Sequence, residues 1–268
     1  MTRRGAGAVE GALLAVLVVG ALAGCTVDPG AEPSPDPTSP TSGTDAASLG
    51  PAVGTSAPVA ASTPVSAPPA VAAPEGSALA ALRRLPVKGR APMTGYARAE
   101  FGQAWADVDR NGCDTRNDIL RRDLRVVVLT PGTHGCRVQS GVLHDPYTGA
   151  TVDFVRGVGT SIAVQIDHVV ALGDAWQKGA QSLTIERRTA LANDPLELVA
   201  VGGSVNQRKG DGDTATWLPP DTSYRCAYVA RQVAVKVKYG LWATAAEKAA
   251  MIRVLSTCPT RKALTATA

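Results

Sequence analysis

The chain has 268 residues, 27 of them basic and 23 acidic, for a formal net charge of +4. The balance is uneven: residues 1–80 hold two basic and six acidic side chains, leaving 25 basic against 17 acidic in residues 81–268. All 11 Trp, Tyr and Phe residues follow Gly95, which excludes a packed core in the first part of the chain and leaves one domain of ordinary size after it.

At the N-terminus, Arg3 and Arg4 precede an apolar run over 11–23. That run is too short for an ordinary spanning helix of about 20 residues but has the length of a signal-peptide core. It ends in Leu22-Ala23-Gly24-Cys25, which resembles a bacterial lipobox. The resemblance implies cleavage before Cys25 and acylation of its thiol, hence export and anchoring to the outer face of the cell membrane. The competing reading is a plain secretory signal with a chance cysteine. Residues 26–80 lack aromatics, Cys, Lys and Arg and are rich in Ala, Pro, Ser and Thr. Such a stretch cannot bury enough apolar surface to offset its conformational entropy. The expected organisation is a signal peptide at 1–24, a lipid-anchored disordered tether at 25–76, a folded domain at 77–260 and a disordered tail at 261–268. The basic domain favours polyanionic partners, nucleic acid or a wall polymer, although a solubility charge would look the same.

A short helix is predicted over 77–85, stopped by Pro86. Phe101 and Trp105 stand at i,i+4, which predicts a helix over 96–106. Asp114 can cap a helix reaching about Arg122, and the β-branched run 124–129 reads as a strand. Segments 136–143 and 151–155 flank Asp145-Pro146-Tyr147-Thr148-Gly149, a turn sequence, so they predict a hairpin. Residues 162–166 form a further strand running into Asp167-His168. Helices follow at 170–178 and 183–192, then a strand at 196–201 broken by Gly202-Gly203. A short helix begins near Ser204, and two long helices cover 222–239 and 244–258. The mixture predicts an α+β domain.

Besides Cys25 there are four cysteines. An even number in an exported domain suggests two disulfides, with three pairings possible. The local pairing, Cys113–Cys136 and Cys226–Cys258, is preferred because each half forms its own unit. Zinc is the weaker alternative, since there is no close Cys-x-x-Cys pair.

The chemistry-bearing residues are few. His168 is one of three histidines, and it follows Asp167 at a strand end. Thirty-eight residues later comes Asn206-Gln207-Arg208-Lys209-Gly210-Asp211. The order of strand, Asp-His, strand, turn, then Asn and Lys on a short helix resembles the HNH, or ββα-metal, nuclease motif. Together with Trp217-Leu218-Pro219 and Asn111-Gly112-Cys113-Asp114-Thr115-Arg116-Asn117-Asp118, it is similar to exported bacterial HNH proteins related to the GmrSD-type restriction endonuclease domain. The resemblance covers roughly 80–258. It implies a small ββα-metal core with an added hairpin, flanking helices and two C-terminal helices. It also implies a metal-dependent endonuclease acting on DNA, with RNA as a second candidate, that leaves a 5′-phosphate.

Phosphodiester hydrolysis needs an activated water and a counter-charge on the phosphate. A neutral His takes the water's proton, and a hard divalent cation, Mg first and Mn second, takes oxygen ligands. By the resemblance, Asp167 and Asn206 are metal ligands and His168 is the general base. Arg116 and Lys209 are the candidate phosphate contacts. The bland readings are a capping Asp beside a core His, a structural Arg116 pair with Asp114 or Asp118, and a solvated Lys209. One departure stands out: the family's middle Asn falls nine residues before the last motif residue, and Glu197 occupies that place. Glu197 or the nearby Asn193 would then brace the loop. His134 and His144 read as loop residues, and Trp105, Trp176, Trp217 and Trp242 as core anchors. The rival function is a non-catalytic lipoprotein that uses a nuclease-like fold to hold anionic wall polymer or nucleic acid.

Overall fold

The computed structural model describes residues 71–264. The expected signal peptide, Cys25, most of the tether and residues 265–268 lie outside the described residues. The elements are α1 (Ala78–Arg84), α2 (Thr115–Asp123), β1 (Leu124–Leu129), β2 (Val138–His144), β3 (Thr151–Val155), β4 (Val164–His168), α3 (Leu172–Gln177), α4 (Ile185–Ala192), β5 (Leu198–Gly202), α5 (Gly203–Lys209), α6 (Arg225–Tyr239) and α7 (Ala245–Leu255). β1, β2 and β3 form an antiparallel sheet in chain order, and β4 pairs antiparallel with β5 as a separate ribbon. The domain is thus mixed, with small antiparallel sheets and several helices.

The β4–β5 ribbon positions the site. Asp167 pairs with Val199 and His168 with Leu198. Val164, Ile166, Leu198 and Ala200 pack with Ile119 and Leu120 of α2 and Phe154 of β3. Val199 and Val201 face the larger core shared with α1, α6 and α7. Both faces of the ribbon are therefore covered, which explains why β5 is apolar throughout and all five of its residues are buried. Successive side chains leave a strand on opposite faces, so Asp167 and His168 enter different surroundings from adjacent positions.

The helix starts follow their caps. Ser77, Asp114, Thr184 and Thr244 each accept a backbone N–H three residues on, and Thr244 forms a reciprocal capping box with Glu247. α6 ends at Gly240, whose φ of 68° suits a residue without a Cβ. Cys113 is bonded to Cys136 and Cys226 to Cys258, as expected. The first bridge ties the start of α2 to the approach to β2, and the second ties the first turn of α6 to the segment after α7.

Three expectations change. The helix over 96–106 is only a 3-10 turn, Arg98–Phe101. Gly102 stops it with a φ of 74°, and a Cβ there would lie 2.0 Å from Thr189 Oγ1. Phe101 and Tyr96 meet Trp176 in an aromatic cluster, while Trp105 packs on the other core, so the i,i+4 pair shares no helical face. Second, β4 starts at Val164 and contains Asp167 and His168 instead of ending before them; residues 161–163 form a 3-10 turn. Third, residues 261–264 are not a free tail: Ala78 N donates to Arg261 O at 2.8 Å and Ala263 N to Gly76 O at 2.9 Å.

Candidate active site

Asp167 is held from two sides. Lys209 Nζ, on α5, lies 2.8 Å from Oδ1, and Tyr147 OH, in the β2–β3 turn, donates to Oδ2 at 2.5 Å. Lys209 also donates to the His168 carbonyl at 2.7 Å. Burial pushes the Asp167 carboxyl upward, and the Lys209 charge and the hydrogen bonds work against that push. Burial, then the Asp167 charge, raises the Tyr147 phenol well above its ordinary value, so it remains a donor.

His168 is buried, and its Nε2 lies 2.9 Å from Ala192 O. A carbonyl only accepts, so the proton sits on Nε2 and Nδ1 carries the lone pair. Burial lowers the imidazole pKa to about 3 and keeps the ring neutral near pH 7. The loop after β4 is braced by Glu197: its carbonyl accepts from Val169 N at 2.9 Å, and both its carboxyl oxygens accept from Val170 N at 3.2 Å. That ties residues 169–170 down and delays α3 to Leu172. Asn193 is turned elsewhere, with Nδ2 on the carbonyls of Gln103 and Thr189.

β5 turns into α5 through Gly203, where a Cβ would lie 2.1 Å from Ile162 O. That close approach brings Asn206 beside β4, with Nδ2 donating to Gln165 Oε1 at 2.9 Å. Among the described residues its Oδ1 accepts no hydrogen bond. Asn206 and Lys209 stand three apart and share a helix face.

Asp167, His168, Asn206 and Arg116 all line one cleft of about 420 Å³. Arg98, which did not stand out in the sequence, and Asp211, the end of the Asn206–Asp211 run, also line it. The guanidinium groups of Arg98 and Arg116 have no ion-pair or hydrogen-bond partner among the described residues, so the structural pair of Arg116 with Asp114 or Asp118 is absent. Lys209 is different. It is 3% exposed and spends its charge on Asp167 rather than facing the cleft as a free cation. Trp105 also lines the cleft, whereas Trp176 lies in the main core and Trp217 packs on Tyr147 and Tyr228. His134 and His144 lie away from it. Tyr147 was hidden in the sequence because a turn motif announces backbone shape and not the target of its side chain.

Two oxygen donors in the cleft keep lone pairs that a hard cation could use. A carboxylate has about four lone-pair sites and Asp167 uses two, while Asn206 Oδ1 is free. Magnesium accepts one or two protein oxygens and keeps water on its other positions. Among the described residues, no cluster of three or more His, Cys, Asp or Glu is arranged to hold a metal.

The sequence profile of the C-terminal domain of GmrSD restriction endonucleases matches residues 114–254. A protein of Arthroderma benhamiae described as an uncharacterized secreted protein is 39% identical over 183 residues, 68% of this chain and 84% of its own length. That relative is fungal, whereas the resemblance read from the sequence was to bacterial proteins. With the two disulfides, this relative is consistent with export. No solved structure matches.

Proposed function

This chain belongs to the family of the GmrSD restriction endonuclease C-terminal domain, and we propose that it is an exported, metal-dependent endonuclease that hydrolyses phosphodiester bonds of DNA, and of RNA as a second substrate. The observation that carries the reading is the shared cleft: Asp167 and His168 at the end of β4, Asn206 on α5 and two unpaired arginines converge there. The order β4, β5, α5 supports an HNH-type ββα core. In this reading His168 Nδ1 takes a proton from the attacking water as its oxygen bonds to phosphorus and the P–O3′ bond breaks; the leaving 3′ oxygen takes a proton from a cleft water, giving a 5′-phosphate and a 3′-hydroxyl. Arg116 and Arg98 grip the phosphates flanking the cut. Lys209 and Tyr147 fix the Asp167 carboxylate, and Glu197 fixes the loop that follows His168. Asp167 and Asn206 would hold Mg or Mn, which supplies positive charge to the phosphate oxygens. Export with a lipid on Cys25 completes the proposal, placing the domain at the outer face of the cell membrane.

Two observations favour a non-catalytic binder of nucleic acid or wall polymer: both Asp167 oxygens already have protein partners, and burial holds the His168 imidazole pKa at about 3, well below the near-neutral value that suits a general base. A plasmid-nicking assay decides. The disulfide-bonded protein should nick supercoiled DNA in Mg or Mn and stop in chelator. Plasmid, single-stranded DNA and RNA that all stay intact in Mg, Mn and Ca would leave the binder.

A further inference from the structure

A second, smaller cavity of about 180 Å³ adjoins the cleft and shares Arg98, Trp105, His168 and Leu172 with it. Its remaining walls include Phe101, Ala104 and Ala192, so its character is apolar. The volume lies below the about 300–1,000 Å³ of sites for drug-sized ligands, which suits one flat heterocycle and not a whole nucleotide.

The cavity is pre-formed. Its outer wall is the 98–105 segment, and that segment is pinned at several points. Gly102 presses on Thr189, Arg188 donates to the Glu100 carbonyl, and Asn193 Nδ2 donates to Gln103 O at 3.3 Å. Trp105 sits with a φ of 59°, a conformation a bulky residue rarely adopts, and its carbonyl accepts from Thr115 N at 3.3 Å. The start of α2 thus helps hold the indole where the two cavities meet. A half-buried aromatic at that junction, beside an unpaired guanidinium, is a stacking surface next to a phosphate anchor.

We propose that this pocket receives the unstacked base of the nucleotide adjoining the phosphate attacked beside His168, which makes single-stranded or locally melted nucleic acid the favoured substrate. The proposal rests on the nuclease reading of the cleft. A paired base lies inside the duplex and must be unpaired and swung out before it enters a side pocket, whereas a base in a single strand is already accessible.

The test compares one labelled sequence as a single strand, as a perfect duplex and as a duplex with a central unpaired bulge. Cutting should be about tenfold or more faster on the strand and at the bulge than on the perfect duplex, the scale of one lost base-stacking contact. Ala104 is exposed and lines the pocket, so Ala104→Trp should plug it and bring strand and duplex to similar rates. A binding arm in chelator uses oligo-dA and an abasic oligomer of equal phosphate count. Wild type should hold oligo-dA about tenfold tighter, and Ala104→Trp should erase the difference. Equal cutting of strand and duplex, or equal affinity for the two oligomers, overturns the pocket even if plasmid is nicked. No cutting in any metal overturns the nuclease reading, and the chelator arm then still decides the pocket without needing the variant.

Discussion

Lys209 and Asp167 form a buried ion pair, Nζ to Oδ1 at 2.8 Å, with the lysine side chain fully covered. Two consequences separate this lysine from a phosphate contact. Lys209→Met should leave the Asp167 carboxylate uncompensated and lower stability by about 3–5 kcal/mol, the usual cost of breaking a buried pair from one side. It should leave the salt dependence of nucleic-acid binding unchanged. A thermal melt and a binding series in rising salt check both, and a flattened salt slope with an unchanged melt would reverse the assignment.

Arg98 and Arg116 should behave in the opposite way. Each Ala substitution should weaken binding across sequences and reduce the slope of log affinity against log salt by about one. Stability should change little for Arg98→Ala and fall by about 0.5–1 kcal/mol for Arg116→Ala, since the Arg116 guanidinium lies 5.8 Å over the Phe154 ring. A slope that stays at the wild-type value in both variants would remove the phosphates from this cleft.

His168→Ala takes away the base and leaves Asp167 and Asn206. Cleavage should fall by about 10²–10⁴-fold while divalent metal still binds, as measured by titration calorimetry. Asp167→Ala should instead weaken metal binding and activity together. Cutting at the wild-type rate in His168→Ala would move the chemistry to another part of the molecule.

A separate buried network makes the fold acid-sensitive. Lys178 is fully buried and pairs with Asp174, Asp213 and Glu247 at 2.6–2.8 Å. Burial alone would raise the Asp213 carboxyl, but the hydrogen bond and charge of Lys178, with Arg90, outweigh it and hold it below its ordinary value of 3.8. The folded state therefore binds this proton less readily than the unfolded chain. The stability gained is present above that ordinary value and is lost as pH falls through the folded one. Asp213→Asn should be less stable than wild type near pH 7 by about 1.5–3 kcal/mol, the range for hydrogen bonds to charged groups. Denaturant melts should show the gap narrowing below pH 3.8. A gap that stays constant down to acid pH would mean the pair contributes nothing to the linkage.

The anchoring proposal has its own test. Cys25→Ser should abolish acylation and release the protein from membranes or leave its signal uncleaved. An acylated N-terminus in the variant's membrane fraction would end that proposal.

The sequence by itself determined the features that depend on local chemistry. Asp114 announced a helix start because its side chain satisfies an amide three residues away. The Asp145–Gly149 turn announced its hairpin, and the even count of cysteines announced two bridges, with the local pairing preferred among three. Asp167, His168 and Asn206, singled out by their order along the chain, line one cleft in the structure. Only the tertiary structure decided which partners those side chains meet. Tyr147 reaches Asp167 across 20 residues and Lys209 across 42, and no local pattern encodes contacts over such separations. The same limit turned the Phe101–Trp105 spacing into a false helix: its two aromatics belong to different cores, held apart by a glycine pressed against Thr189. Arg98 became a cleft residue for that reason, because a loop side chain acquires a role only from the surface that folding brings against it.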